Sequence, residues 1–125
     1  MSAGILVCRA EDLAFGQVIP VPLPRDASGK PRTALVLRDG LGRVRAYLNR
    51  CQHLPIPLDA GGGQFLTDDR RHLLCHTHGA EYRLTDGYCV VGPCEGARLE
   101  AVAVEERDGL LYLIEAGQDL GPSTE

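Results

Sequence analysis

Three Asp-Gly pairs, Asp39-Gly40, Asp86-Gly87 and Asp108-Gly109, stand between apolar stretches and constrain the fold more than any other feature. Asp-Gly accepts the positive φ angles of tight turns, so each pair predicts a hairpin of antiparallel strands. Ala34-Leu35-Val36-Leu37 and Val44-Arg45-Ala46-Tyr47-Leu48 flank the first, while Ala101-Val102-Ala103-Val104 and Leu110-Leu111-Tyr112-Leu113-Ile114 flank the third. Gly4-Ile5-Leu6-Val7-Cys8, Gln64-Phe65-Leu66 and His72-Leu73-Leu74-Cys75 are shorter strand candidates. The chain has 15 Gly and 8 Pro and no sustained apolar pattern of helical period, which predicts an all-β antiparallel sandwich or barrel. Only Glu11-Asp12-Leu13-Ala14-Phe15 is compatible with a helical turn. Pro20, Pro22 and Pro24, close to Pro31, predict an extended and poorly paired segment over residues 19 to 32, at an edge or in a loop, because proline lacks the donor that a central strand needs.

A length of 125 residues suits one domain with a core of its own. The boundaries expected are 1–116 for that domain and 117–125 for a polar, frayed tail. Lys and Arg number 13 against 17 Asp and Glu, a net charge of −4 that argues against sequence-independent nucleic-acid binding and fits a basic partner better. No apolar run approaches the ~18 residues of a membrane span, and Met1-Ser2-Ala3-Gly4 leads into acidic Glu11-Asp12 rather than a basic leader. The expected compartment is the cytoplasm, with no membrane partner. Five cysteines cannot all pair within one chain, so a secreted disulfide framework is not expected.

The chemistry lies in two short segments, Cys51-Gln52-His53 and Cys75-His76-Thr77-His78-Gly79. In an extended loop residues i and i+2 point the same way, and in a tight turn i and i+3 do, with Gly79 letting the backbone leave. Each segment therefore offers one soft thiolate and one imidazole, and together they make a Cys₂His₂ donor set. Zinc accepts such a set, but its usual spacing places two Cys together and two His together. Interleaved pairs also suit a two-iron cluster with both thiolates on one iron and both imidazoles on the other. Unconnected buried thiols and satisfied histidines remain the third reading, disfavoured because two paired spacings occur in one small β-domain.

Nearly the whole chain resembles the Rieske [2Fe-2S] family. The residues that carry the resemblance are the strand pair from Leu35 to Tyr47, Asn49-Arg50-Cys51-Gln52-His53 with Pro57-Leu58-Asp59, and Cys75-His76-Thr77-His78-Gly79-Ala80-Glu81-Tyr82. Asp86-Gly87 and then Gly92-Pro93 follow, where the family places a turn and a proline loop over its cluster. The resemblance implies a cluster-binding part at about 49–96 and one [2Fe-2S] cluster held by Cys51 and Cys75 on one iron and His53 and His78 on the other. His72 and His76 fall outside the ligand positions. Respiratory members carry a further disulfide between the two loops, but the matching positions here are Ile56 and Thr77, as in the soluble ferredoxins of bacterial oxygenase systems. Where respiratory members place Ser and Tyr hydroxyls this chain has Ala80 and Tyr82, which implies a low to intermediate potential. The gap between the loops is longer than usual for the family, and Gly61-Gly62-Gly63 with Asp68-Asp69 marks an extra turn.

The charges of two ferric ions, two sulfides and two thiolates cancel, so such a centre starts neutral and accepts an electron more readily than a four-thiolate one. The ligand histidines would each keep a ring N–H made more acidic by ferric iron, so the midpoint potential is expected to fall at alkaline pH. The resemblance implies an electron carrier between a flavin-dependent NAD(P)H reductase and a terminal Rieske oxygenase, a component rather than an independent catalyst. The alternatives are the small Rieske subunit of a nitrite reductase-like oxidoreductase and a zinc-stabilised interaction module. Cys89 and Cys94 read as thiols flanking the proline loop rather than a disulfide, and Cys8 as core. Leu54, Pro55, Ile56 and Pro57 would exclude water beside His53. Asp59, Asp68, Asp69, Glu81 and Glu95 read as a solvated face with a possible role in steering a basic partner.

Overall fold

The computed structural model describes residues 4–25, 27–29, 31–50, 58, 64–75, 79–92 and 96–114. The run Ala34-Leu35-Val36-Leu37 is apolar at every position, the pattern of a strand covered on both faces. It forms the middle of β3 (Arg32–Arg38), and all four side chains are buried. Leu35 and Leu37 face one core and Ala34 and Val36 the other, as the period of two requires. Among the described residues the strands run in order β1 (Gly4–Arg9), β2 (Val18–Leu23), β3, β4 (Val44–Leu48), β5 (His72–Leu74), β6 (Glu81–Arg83), β7 (Cys89–Val91), β8 (Ala103–Arg107) and β9 (Leu110–Ile114). They make three antiparallel sheets ordered β1-β9-β8, β2-β3-β4 and β5-β6-β7, so the all-β antiparallel expectation holds. The first two sheets are joined along β4, where Tyr47 bridges Ala101, Leu48 N–H donates to Glu100 O at 2.8 Å and Val102 N–H to Ala46 O at 2.9 Å. No helix of the described residues is long and apolar enough to cross a membrane.

All three Asp-Gly hairpins form, by different means. Asp108 and Gly109 both have positive φ, 52° and 78°, and Arg107 pairs with Leu110, which is the two-residue turn that the sequence predicts. That tight turn forces β8 to run to Arg107, so its strand is Ala103–Arg107 and not residues 101 to 104 as the apolar run alone suggests. At the first hairpin the positive φ falls on Gly42, because the Asp39 carboxylate folds back onto the turn. Its Oδ1 accepts N–H bonds from Leu41 (2.8 Å) and Arg43 (3.0 Å), and Oδ2 accepts from Arg45 Nε at 3.1 Å. At the second hairpin Gly87 carries the positive φ, and a Cβ there would lie 2.9 Å from the Tyr47 ring.

Three expectations are corrected. Residues 18 to 23 pair with β3 at six consecutive positions, so the proline segment is a well-paired edge strand over that part. An edge strand turns every second N–H outward, and Pro20 and Pro22 share one parity, so they remove donors that face no partner. Gln64-Phe65-Leu66 contributes only the isolated bridge from Leu66 to Leu73. The helical turn is a 3₁₀ turn at Ala10–Asp12, beginning one residue before the expected segment.

Within the first core Tyr47 ties β4 to the segment just past β6: its hydroxyl donates to Leu84 O at 2.7 Å across 37 residues of chain. Burial pushes its pKa up to about 12, so the hydroxyl remains a donor across the ordinary pH range. Asp39 is the buried charged residue of the described chain. Burial raises its pKa, but the Arg43 and Leu41 N–H groups and Arg45 outweigh this and hold it below the ordinary value of 3.8. Asp39→Ala is expected to lower the unfolding free energy at pH 7 by about 2 kcal/mol, because two turn N–H groups lose their acceptor. A depressed folded pKa contributes stability above the unfolded value, and that contribution is lost as pH falls through the folded value. Denaturant curves of wild type and variant should therefore draw together in acid; a difference that is constant from pH 7 down to pH 2 would contradict this.

Candidate metal centre

Cys75 stands one residue past the end of β5 and is fully buried. Its N–H donates to Ala80 O at 2.8 Å, and its O accepts from Gly79 N–H at 2.8 Å, so the two ends of the β5–β6 connection are joined by backbone. Gly79 has φ +74°, the conformation for which the sequence supplies a glycine. Tyr82, in the middle of β6, pairs with Leu73 on one side and Cys89 on the other, and all three are fully buried. Together with Cys75, Ala80, Leu58 and Leu99 they form the core beneath this hairpin.

Two further loop mouths open on the same core. Cys89 N–H donates to Ala97 O at 2.8 Å and Gly96 N–H to Cys89 O at 3.1 Å, which closes the loop after β7. Gly92, at φ +104°, presses this loop onto the hairpin: a Cβ there would lie 2.7 Å from Ala80 Cα. The remaining mouth belongs to the segment after β4. Asn49 Oδ1 accepts the Leu58 N–H at 2.8 Å, and the Leu58 side chain is buried in the core that holds Cys75.

Of the ligands expected from sequence, Cys75 is the one among the described residues, buried just past the end of β5, while Cys51, His53 and His78 lie outside them. So do Leu54 to Pro57, Asp59, Gly61 to Gly63, His76, Thr77, Pro93, Cys94, Glu95 and the tail. Among the described residues no group of three potential metal ligands comes together. His72 is a strand residue, as expected, with Nδ1 3.1 Å from Glu81 Oε1. Glu81 is thus engaged with His72 of the neighbouring strand and Asp69 with Thr67 Oγ1 and Arg71 N–H, while Asp68 and Asp69 are both exposed. The Thr67 hydroxyl and then the Arg71 N–H lower the Asp69 pKa. Cys89 donates its thiol to Val91 O at 3.2 Å. Cys8 is half-buried against the second core, and burial raises its pKa. The Asn49–Leu58 bond is the element that sequence reasoning passed over, although both residues stand in the quoted motif.

The family model of the Rieske [2Fe-2S] domain matches residues 4–106. The chain belongs to the Rieske [2Fe-2S] family. Its domain carries one [2Fe-2S] cluster, and the donor chemistry fits: a buried cysteine stands on a glycine-hinged loop that a second glycine loop covers. No curated protein matches by sequence. Among solved structures, the terminal oxygenase of carbazole 1,9a-dioxygenase from Novosphingobium sp. KA1 aligns with a TM-score of 0.69 at 24% identity, over 92% of this chain and 30% of its own. A complex of reduced oxygenase and oxidized ferredoxin of carbazole 1,9a-dioxygenase aligns with a TM-score of 0.66 at 24% identity, over 91% of this chain and 94% of the matched one. The ferredoxin of carbazole 1,9a-dioxygenase from Nocardioides aromaticivorans IC177 gives 0.62 at 23% identity, over 92% and 100%. At these identities the likeness establishes the Rieske fold, and the chain spans about a third of the oxygenase's length.

The Gly92–Ala80 contact is open to test. Gly92→Ala and Gly96→Ala both place a side chain at positive φ, which costs about 1–2 kcal/mol. A Cβ at Gly96 meets nothing within 4 Å, whereas at Gly92 it meets the Ala80 backbone. Urea unfolding should therefore show the larger loss for Gly92→Ala; equal losses would contradict the contact.

Proposed function

We propose that the protein is a one-electron carrier that receives electrons from an NAD(P)H-dependent flavin reductase and delivers them to a terminal Rieske oxygenase. Cys51 and Cys75 bind one iron and His53 and His78 the other, within one domain at 1–116 whose cluster-binding part is about 49–96; residues 117–125 are a tail. When bound, the cluster supplies the one-electron couple. The observation that carries this reading is the convergence of three loop mouths on one apolar core, with Cys75 buried beneath them. Leu58, Leu73, Leu99 and Tyr82 exclude water from that side of the site. The solved oxygenase–ferredoxin complex supports an oxygenase as the acceptor.

Purified protein should be red-brown, contain two irons and two acid-labile sulfides per chain, and give a rhombic EPR signal after dithionite. Serine at Cys51 or Cys75 should abolish all three. Colourless protein with one zinc per chain would overturn the reading, and co-purification with a much larger flavoprotein would replace the free carrier by an oxidoreductase subunit.

Tyr82 places a hydroxyl in the ligand core, where a donor to a cluster sulfur stabilises the reduced, more negative form. Tyr82→Phe is expected to lower the midpoint potential in a spectroelectrochemical titration. An unchanged or raised value would remove Tyr82 as a tuning donor.

A further inference from the structure

We propose that His72 is a proton-linked tuning residue for the cluster: its imidazole takes a proton from water as the cluster gains its electron, so the midpoint potential rises from neutral to mildly acidic pH. The proposal rests on the reading that Cys75 binds iron. His72 opens β5 and Cys75 stands three positions on, which places their Cα atoms about 10 Å apart along extended chain. Across the hairpin Leu74 faces Glu81, and Ala80, the residue before Glu81, receives the Cys75 N–H. The Glu81 carboxylate thus belongs to the Cys75 end of the small sheet. From there it reaches diagonally across the strands to His72, with Oε1 3.1 Å from Nδ1.

Among the described residues around this pair, His72 carries the group whose charge changes between about pH 5 and 8. Arg83 stands directly opposite it on β6, but Asp86 accepts from its Nε at 3.1 Å and its Nη2 at 2.6 Å, and its guanidinium lies over Tyr88. In the turn before β5, Asp69 accepts from the Thr67 hydroxyl and the Arg71 N–H. These donors hold both aspartates below the ordinary carboxylate range, so they stay charged, as do Arg71 and Arg83. The Phe15 and Gly40 turns add no charged side chain to the hollow of about 240 Å³ that they line with Arg71, His72 and Arg83.

Both members of the pair are 30% exposed, open enough to exchange protons with water and enclosed enough for their charge to be felt along the sheet. Because a carboxylate only accepts, Nδ1 carries the proton of the neutral ring and the second proton goes to Nε2. Its arrival takes the pair from a net negative charge to neutrality. One electron enters from the reductase and one proton from water, and the new Nε2–H is the bond that forms. At roughly 10 Å, with an effective dielectric constant between those of a protein surface and water, the interaction changes each equilibrium about threefold. The coupling is reciprocal: protonation favours reduction by the factor by which reduction favours protonation.

The test is a spectroelectrochemical titration of the holoprotein from pH 5 to pH 8. The wild-type equilibrium constant for reduction should be about threefold larger at pH 5 than at pH 8, about 30 mV at 59 mV per tenfold. His72→Gln, which keeps a donor for Glu81, should match the wild type at pH 8 and stay flat down to pH 5, whereas His76→Gln should keep the slope. A residue that merely supports the fold would shift the potential alike at both ends.

A flat wild-type profile, a slope that His72→Gln retains, or one that His76→Gln loses overturns the proposal. If His72→Gln does not accumulate as holoprotein, NMR titration of the His72 ring in oxidised and reduced wild type decides. A titration midpoint about half a unit higher in the reduced protein supports the coupling, and equal midpoints overturn it. Colourless wild-type protein would overturn the cluster reading and this proposal with it. Red-brown protein with a flat profile would overturn this proposal alone.

Discussion

The structure depends on β3 as a wall shared by two cores. Every residue from Ala34 to Leu37 is buried, so the strand has no solvent face on which a register error would be tolerated. A slip by one position would exchange Leu35 and Leu37 with Ala34 and Val36 and overfill one core while emptying the other. β4 repeats the division, with Tyr47 on the side of the core that contains Cys75 and Ala46 and Leu48 on the other. The larger side chains thus support the site, and the smaller ones let the β1-β9-β8 sheet approach closely. The Asp39 carboxylate fixes the turn between the two strands and, through it, which residues face which core.

That register decides where the chain leaves β4. β4 ends at Leu48, pinned by Glu100 O, and the chain turns at Asn49 over the edge of β3. Leu58 then brings it back into the core below Cys75, and the β5–β6 hairpin rises from the same core. Tyr47 crosses from the wall to Leu84 O just past β6, so the small sheet cannot rotate freely against the larger one. The outcome is one packed base at which the described ends of these segments, Asn49 and Leu58, Cys75 and Ala80, Cys89 and Ala97, are joined by hydrogen bonds.

Much of this was legible because it rests on local chemistry. The uniform apolar run named β3, and the Asp-Gly pairs named three hairpins. Only Asp108-Gly109 forms the turn that its residues prefer, however, because there nothing competes for the aspartate side chain; at Asp39 three donors do. The strand that contains Pro20 and Pro22 was misread because proline content does not show which N–H groups face an open edge. The strand at Gln64-Phe65-Leu66 failed for the opposite reason: apolar residues were present, but the neighbouring edge of β5 offers only one bridging position. Cys75, Ala80 and Tyr82, which spacing and resemblance singled out, are buried together in one core. The Asn49–Leu58 bond was not, since its partner is a backbone N–H nine residues away, which no side-chain pattern announces.

The two small residues at the covered loop are one decision, not two. Ala80 is fully buried, and its Cβ lies 3.2 Å from where a Cβ on Gly92 would stand. Gly92 can press its backbone onto the hairpin because residue 80 is small, and residue 80 can carry a side chain at all because residue 92 has none. A hydroxyl at position 80, the feature that respiratory relatives resemble one another in having, would add an oxygen within this contact and need room from the Gly92 loop. Tyr82 lies in the same core, in the middle of β6. Close packing therefore couples any change at residue 80 to the backbone of Gly92.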